Sequence, residues 1–341
     1  MTTALSSSLH TDVTVLKQLT AIRLDVAIWT ARKKLSAADF GSSDLPPEKL
    51  ASLGSKRVCN PDDLRIFAAL KARAVSLLER TGVRFLGGWA IPEAKTSAVV
   101  QELSRIGTAF EDAKASFLSR YDEAIRQWIA ENPGWESLIA GSTVGVDTVR
   151  SRLGFGWQVF QVSPPRGKGK ATVSNALANE VGGLAGTLFD EIAKSATETW
   201  RKSYEGKTEV SQKALSPLRT LRTKLTGLSF IEPRVMPVAD LIQTALITMP
   251  AKGSIGGMPL YALHGVFGLL RDPVALVSHG QRILDGEDPA DILHELVRTQ
   301  REPEAEEDTV PEETDDITAP TPFADDTVPP GGPCLDSLGL W

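Results

Sequence analysis

Cysteine is scarce in this chain of 341 residues, which contains only Cys59 and Cys334. Two cysteines so far apart do not form the dense pattern of a small disulfide-stabilised protein. The 28 glycines and 21 prolines are too few for a collagen-like or wholly disordered chain. The 42% of hydrophobic and 23% of charged residues are instead typical of an ordinary soluble globular protein.

Long apolar runs are also missing. The best candidate, Val235–Met249, is interrupted by Pro237, Asp240 and Gln243, so the sequence predicts no transmembrane helix. The first residues are rich in Ser and Thr and lack the basic start and apolar centre of a secretory signal. We therefore expect a cytoplasmic protein with reduced thiols, no contact with a membrane, and a flexible arm over residues 1–12.

The net charge of −6 conceals two segments of opposite sign. Residues 299–341 carry −11 and residues 1–298 carry +5. The low hydrophobicity and many acids of the C-terminal segment predict a disordered acidic tail. Its tip is apolar, and we expect it to bind a partner protein through Leu335, Leu338, Leu340 and Trp341. The alternatives are a tail that only maintains solubility and an incidental terminus.

Two segments alternate in the manner of β-strands, and most of the rest has helical periodicity. Residues 21–29 and 153–162 are predicted to pair as a minor two-stranded β element. Residues 60–131 predict a helical hairpin, whose long second helix over 93–131 has an apolar seam. That seam must be buried against this chain or a second copy, so a homo-oligomer formed through 93–131 is one alternative.

These patterns predict a mainly α fold, with a long helical hairpin plus a helical bundle and the minor two-stranded β element. We divide the chain into an N-terminal domain over 13–165, a C-terminal helical region over 166–298 and the tail over 299–341. Further helices are predicted over 171–204, 210–225, 233–248, 259–270, 273–284 and 289–299, and four of the last five begin with Pro, which is favoured at the first helical position.

No constellation of residues points to catalysis. Lys168 and Lys170 lie in a Gly-Lys-Gly-Lys run that lacks the first glycine and the Ser or Thr of a phosphate-binding loop. His264, His279 and His294 lie 15 residues apart on three predicted helices, and no two have the spacing of ligands on one helix face. We therefore predict no catalytic residue, no cofactor and no metal. An enzyme whose site is assembled only by the fold remains the alternative.

The segment 150–224 is basic, with a net charge of +7. It predicts a nucleic-acid-binding surface on which Trp200 and Tyr204 could stack on bases. The alternatives are a solvated helix face and a docking site for the acidic tail. The candidate nucleic-acid-binding residues are Arg166, Lys168, Lys170, Arg201, Lys202, Arg219 and Arg222.

Four phrases carry a resemblance to a known family: LDVAIWTARKKL, LPPEKLASLGSKRVCNPDDL, GVRFLGGWAIPE and FLSRYDEAIRQWIAENP. They cover about residues 20–135, with weaker similarity to about residue 290. The chain resembles an uncharacterised bacterial family carried by integrative and conjugative elements and some phages. Genes of that family often neighbour a MoxR-like AAA+ ATPase and a von Willebrand A-domain protein. The resemblance implies a non-catalytic accessory or adaptor protein with those partners, and it supplies no catalytic residues.

Overall fold

The structure is a computed structural model that describes residues 14–36, 39, 51–164 and 171–300, with the backbone alone for 171–175. Several predictions lie outside the described residues. They concern the arm over 1–12, the tail from residue 301 onward with its apolar tip, and the loop that contains Arg166, Lys168 and Lys170.

Helices account for 63% and strands for 13% of the structure. The strands are β1 (Leu19–Ala27), β2 (Arg32–Lys34), β3 (Ser55–Arg57), β4 (Val83–Phe85), β5 (Gly88–Pro92), β6 (Gly154–Phe160), β7 (Glu209–Val210) and β8 (Ile255–Gly256). β1, β4, β5 and β6 form an antiparallel sheet in the order β4-β5-β1-β6, while β2 pairs with β3 and β7 with β8.

The prediction of a minor two-stranded β element is wrong, because the main sheet has four strands and two small sheets accompany it. The predicted pairing of the two alternating segments is confirmed, with Leu24 of β1 opposite Trp157 of β6.

Strands β4 and β5, which the sequence did not predict, form a tight hairpin whose turn residues, Leu86 and Gly87, both have positive φ. Gly88 is required at the close approach to β1, because a Cβ there would lie 2.4 Å from the Ile22 carbonyl oxygen.

Besides the helical residues 14–17 and the 3-10 helices Pro61–Leu64 and Gln212–Ala214, twelve α-helices are present in the described part of the chain. They are α1 (Arg65–Thr81), α2 (Glu93–Ser119), α3 (Tyr121–Ala130), α4 (Glu136–Ala140), α5 (Val146–Ser151), α6 (Ala171–Gly182), α7 (Leu184–Ser203), α8 (Leu215–Gly227), α9 (Val235–Ile247), α10 (Gly257–Leu270), α11 (Pro273–Leu284) and α12 (Pro289–Thr299). α11 and α12 begin at the predicted prolines, and the side chains of Asp272 and Asp288 cap them by accepting hydrogen bonds from backbone N–H groups.

The helical hairpin exists, but its second arm is divided. α2 ends at Ser119, and the backbone leaves helical geometry at Arg120 before α3 begins. α1 and α2 run antiparallel, since Phe67 lies against Phe110 at a ring-centroid distance of 5.0 Å while Arg73 pairs with Glu102. The seam of α2 is buried within this chain.

Two hydrophobic clusters lie on the two faces of β5. Trp89 and Ile91 join the cluster of α1 and α2, whereas Ala90 joins the cluster built mainly by α7 to α12. This alternation follows from the two-residue period of a strand. Because both faces are buried, β5 has no alternation of polar and apolar residues in its sequence.

Among the described residues, no single helix is long and apolar enough to cross a membrane. α10 and α11 together have the length and apolar composition of a span, but their axes are bent by 107° relative to each other.

Candidate binding cleft

A cleft of about 580 Å³ lies between α1, α2 and α8. Three cationic side chains, four hydroxyl-bearing side chains and one carboxylate contribute to its lining. The lining residues are Leu77, Arg80, Thr81, Lys95, Ala98, Val99, Glu102, Ser216, Arg219, Thr220 and Thr223.

The α8 wall of the cleft follows from the amphipathic pattern of that helix. Its leucines are buried on one face at Leu215, Leu218, Leu221 and Leu225. Ser216, Arg219, Thr220 and Thr223 follow the spacing i, i+3, i+4 and i+7, which places them together on another face. The burial of the leucines therefore turns the hydroxyl groups and one arginine toward the cleft.

The floor and the opposite walls come from α1 and α2. Leu77 and Val99 are buried and make the floor apolar. Arg80 and Thr81 stand at the C-terminal end of α1, and Lys95 stands in the first turn of α2. The cleft thus combines an apolar floor with cationic walls.

Arg80 and Arg219 are the free cations of the cleft. Both are exposed, and neither forms an ion pair or a side-chain hydrogen bond with another residue in the part of the chain that the structure describes. Their guanidinium donors are therefore available to an anionic group.

Lys95 and Glu102 are held by neighbours. The ammonium of Lys95 donates a hydrogen bond to the Thr223 carbonyl oxygen at 3.3 Å, and partial burial lowers its pKa. The carboxylate of Glu102 accepts hydrogen bonds from Arg73 and Arg105, and the Arg73 bond is the main cause of its lowered pKa. The charge of Glu102 is thus compensated, and the cleft keeps a net positive charge.

Three hydroxyl groups of the lining already donate hydrogen bonds within their own helices. Thr81, Thr220 and Thr223 donate hydrogen bonds of 2.8, 3.1 and 2.9 Å to backbone carbonyls one helical turn earlier. Their oxygen lone pairs remain as acceptors. The cleft therefore offers hydrogen-bond acceptors beside its cationic donors.

A smaller hollow of about 240 Å³ continues the cleft along the hairpin. It shares Leu77, Arg80 and Glu102 with the cleft, and it adds Arg73, Ser76 and Ile106 to the lining. The two volumes therefore adjoin at these three shared residues.

The structure separates the candidate nucleic-acid-binding residues. Arg219 lines the cleft, whereas Arg222 is half-buried on the same helix and does not line it. Arg201 and Lys202 are exposed in the last turn of α7. The three remaining candidates lie outside the described residues.

The expected aromatic platform is not available at Tyr204. Its ring is fully buried, and its hydroxyl donates a hydrogen bond to the Ala214 carbonyl oxygen at 2.8 Å. Trp200 is half-buried, stacks on Tyr204, and meets His264 edge-on at 4.8 Å. A base cannot stack on Tyr204 without unfolding this part of the core.

The three histidines on α10, α11 and α12 have separate environments. Nδ1 of His279 lies 2.9 Å from the Ala275 carbonyl oxygen, and His294 is exposed. Within the described ranges, no three His, Cys, Asp or Glu side chains are grouped so that they could hold a metal ion.

Sequence reasoning missed Arg80 and Lys95, which lie far from the basic segment along the chain. The local sequence does not distinguish them from solvated helix residues: Arg80 stands in the last turn of α1, where a cation is favoured by the helix dipole, and Lys95 is a single lysine in the first turn of α2. Only the packing of α8 against the hairpin brings them together with Arg219.

Comparison with known proteins adds one finding. No curated protein and no solved structure matches the chain. The sequence model described as "Protein of unknown function (DUF3150)" matches residues 16–272. The match covers most of the chain, which therefore belongs to the DUF3150 family.

Proposed function

We propose that this DUF3150 protein is a non-catalytic accessory or adaptor protein of a bacterial mobile element or phage, which acts with an AAA+ ATPase partner. In this proposal its working surface is the cleft between α1, α2 and α8, and its task is to bind an anionic part of that partner. The kind of partner rests on the resemblance of residues 20–135.

The observation that supports the proposal is that Arg80 and Arg219 line the cleft without an ion-pair partner among the described residues. Surface arginines commonly pair with neighbouring carboxylates, as Arg73, Arg84 and Arg120 do here. Arg80 and Arg219 line one concave site and have no such partner among the described residues. Cationic side chains that converge unpaired on a cleft raise the local concentration of anions and speed their association.

Co-purification tests the proposal. The full-length protein is mixed with the neighbouring MoxR-like ATPase and the von Willebrand A-domain protein, with and without ATP. The variant Arg80→Gln/Arg219→Gln should lose most of the complex, whereas the matched control Arg201→Gln/Lys202→Gln should keep it. Equal recovery with both variants would contradict a role for the cleft. No complex under any condition would contradict the ATPase partnership.

The tail tip is tested in the same assay. Leu338→Ala/Trp341→Ala should weaken the complex if these apolar side chains anchor the partner, since large apolar and aromatic groups dominate binding hot spots. An unchanged complex would remove the tip from the proposal and leave the cleft as its support.

A second candidate function is nucleic-acid binding through 150–224. It is favoured by Arg219, which belongs to that segment and lines the cleft. Its affinity should fall steeply with salt, because counterions are released on binding. Gel-shift assays of the full-length and 1–298 proteins at two salt concentrations test it, and tail removal should strengthen binding. No shift at low salt would exclude this candidate.

A further inference from the structure

The donors, acceptors and apolar surface of the cleft favour one class of anionic partner over others. Its donors are guanidinium and ammonium groups and the Ser216 hydroxyl, its floor is apolar, and the hydroxyl oxygens of Thr220 and Thr223 act only as acceptors. From this combination we infer that the cleft binds an extended acidic peptide segment with apolar side chains. The inference rests on the proposed function and names the part of the partner that enters the site.

The two threonine hydroxyl groups of α8 favour a peptide over a phosphate backbone. Thr220 and Thr223 spend their protons on α8 carbonyls, so they can only accept hydrogen bonds from a ligand. A peptide has a backbone N–H at every residue other than Pro, whereas phosphate oxygens have only lone pairs. An extended peptide can thus pair with these oxygens, while a phosphodiester would bring acceptor against acceptor.

The floor favours the same class. Leu77 and Val99 present aliphatic surface at the bottom of the cleft, and none of the residues that line it in the described chain is aromatic. Single-stranded nucleic acids bind largely by stacking bases on aromatic rings, which this lining cannot provide. An aliphatic side chain of a peptide gains free energy on the same floor by leaving water.

The dimensions suit a short stretch of peptide. Ser216 and Thr223 are seven residues apart on α8, which corresponds to about 10.5 Å along the helix axis. An extended chain covers that length in about three residues, and its side chains alternate in direction. Acidic side chains on one side can reach Arg80 or Arg219, while an apolar side chain between them faces the floor. The hollow beside Arg73 adjoins the cleft at Leu77, Arg80 and Glu102.

Fluorescence anisotropy of the full-length protein tests the inference with defined probes. The first is a fluorescein-labelled peptide of alternating Glu and Leu, and the second has Gln in place of Glu. The third is a labelled oligothymidylate with the same net charge as the first, and inorganic pyrophosphate is the competitor. The Glu-Leu peptide should bind most tightly, and raised salt should weaken it.

Two pairs of substitutions locate the binding. Arg80→Gln/Arg219→Gln should weaken the Glu-Leu peptide about tenfold, a loss of about 1.4 kcal/mol, whereas Arg201→Gln/Lys202→Gln should leave its affinity unchanged. Thr220→Val/Thr223→Val keeps shape and charge but removes two acceptors. It should weaken the peptide about fivefold and leave pyrophosphate competition unchanged.

Three results would overturn the inference. The first is that the Glu-Leu peptide does not bind, and the second is that its binding is unchanged in Arg80→Gln/Arg219→Gln. The third is that the oligothymidylate binds more tightly than the peptide. The last result would favour nucleic acid as the occupant. If the ATPase complex needs the cleft but the peptide does not bind, only this inference fails. If the peptide binds but no ATPase complex forms, the ATPase partnership fails and the peptide site stands.

Discussion

The ammonium of Lys224 lies 2.6 Å from the carboxylate of Glu191, and both side chains are largely withdrawn from solvent. Lys224 also donates a hydrogen bond to the Glu79 carbonyl oxygen at 2.7 Å, near the end of α1. The other oxygen of Glu191 accepts a hydrogen bond from the backbone N–H of Arg84 in β4. One ion pair therefore joins α1, β4, α7 and α8, and it helps to hold the α8 wall of the cleft against the hairpin.

Lys224→Met should destabilise the protein by about 2–3 kcal/mol. The substitution leaves the Glu191 carboxylate partly buried without its cation and removes the hydrogen bond to Glu79. The expected loss is at the low end for buried pairs because Glu191 keeps some contact with water. Urea unfolding measures it, with the exposed Lys213→Met as control. Equal midpoints for the two variants would show that the pair contributes little.

Phe110→Ala should cost about 3–5 kcal/mol of unfolding free energy. The Phe110 ring is fully buried, and its centroid lies 5.0 Å from that of Phe67 and 5.6 Å from that of Phe155. These contacts lie within one chain, so the loss should not depend on protein concentration. Thermal melts at two concentrations check both points. A melt equal to the wild type would contradict this burial.

The helices and the central strand pair could be predicted from sequence because their signals are local. α11 and α12 match their predicted bounds. An Asp at the N-cap and a Pro at the first helical position mark the start of each helix, and apolar residues follow at helical spacing. β1 and β6 were recognisable because each alternates over several residues.

The predictions failed where the local sequence has no periodic pattern of polar and apolar residues or no residue that marks the end of an element. β4 has three residues and β5 five, and the burial of β5 on both faces removes its alternation. The end of α2 at Ser119 is not marked by Gly or Pro, so the apolar seam predicted one continuous helix.

The cleft was missed for a different reason. Arg80, Lys95 and Arg219 are brought together by tertiary packing, to which spacing along the chain gives no guide.

Cys59 should be almost unreactive in the native protein. Its side chain is fully buried, and desolvation, with a smaller effect of the nearby Asp63, raises the pKa of the thiol to about 11. At pH 7.5, fewer than about one thiol in a thousand is the reactive thiolate. In Cys334→Ser protein, Ellman's reagent should therefore react slowly in native buffer and rapidly in urea. Rapid native reaction would show that the core around Trp29 and Tyr121 opens readily.

His264 gives the stability a dependence on pH. Its Nε2 atom is buried without a hydrogen-bond partner in the described structure, and its ring packs against Trp200, Tyr204 and Tyr261. Burial lowers the pKa of the imidazole below its ordinary value of 6.5. The folded protein therefore favours the neutral ring, whereas the unfolded chain takes up a proton near the ordinary value.

The stabilising effect of a neutral His264 should be fully present above about pH 6.5 and disappear as pH falls toward the lowered pKa, because the unfolded state then binds more protons than the folded state. The unfolding free energy should accordingly fall between pH 7.5 and pH 5.5 by more in the wild type than in His264→Phe. Urea titrations at the two pH values measure this difference. His294→Gln, which changes an exposed histidine, serves as the control and should retain the wild-type dependence. If His264→Phe shows the same fall as the wild type, the burial of this ring does not control the dependence of stability on pH in this range.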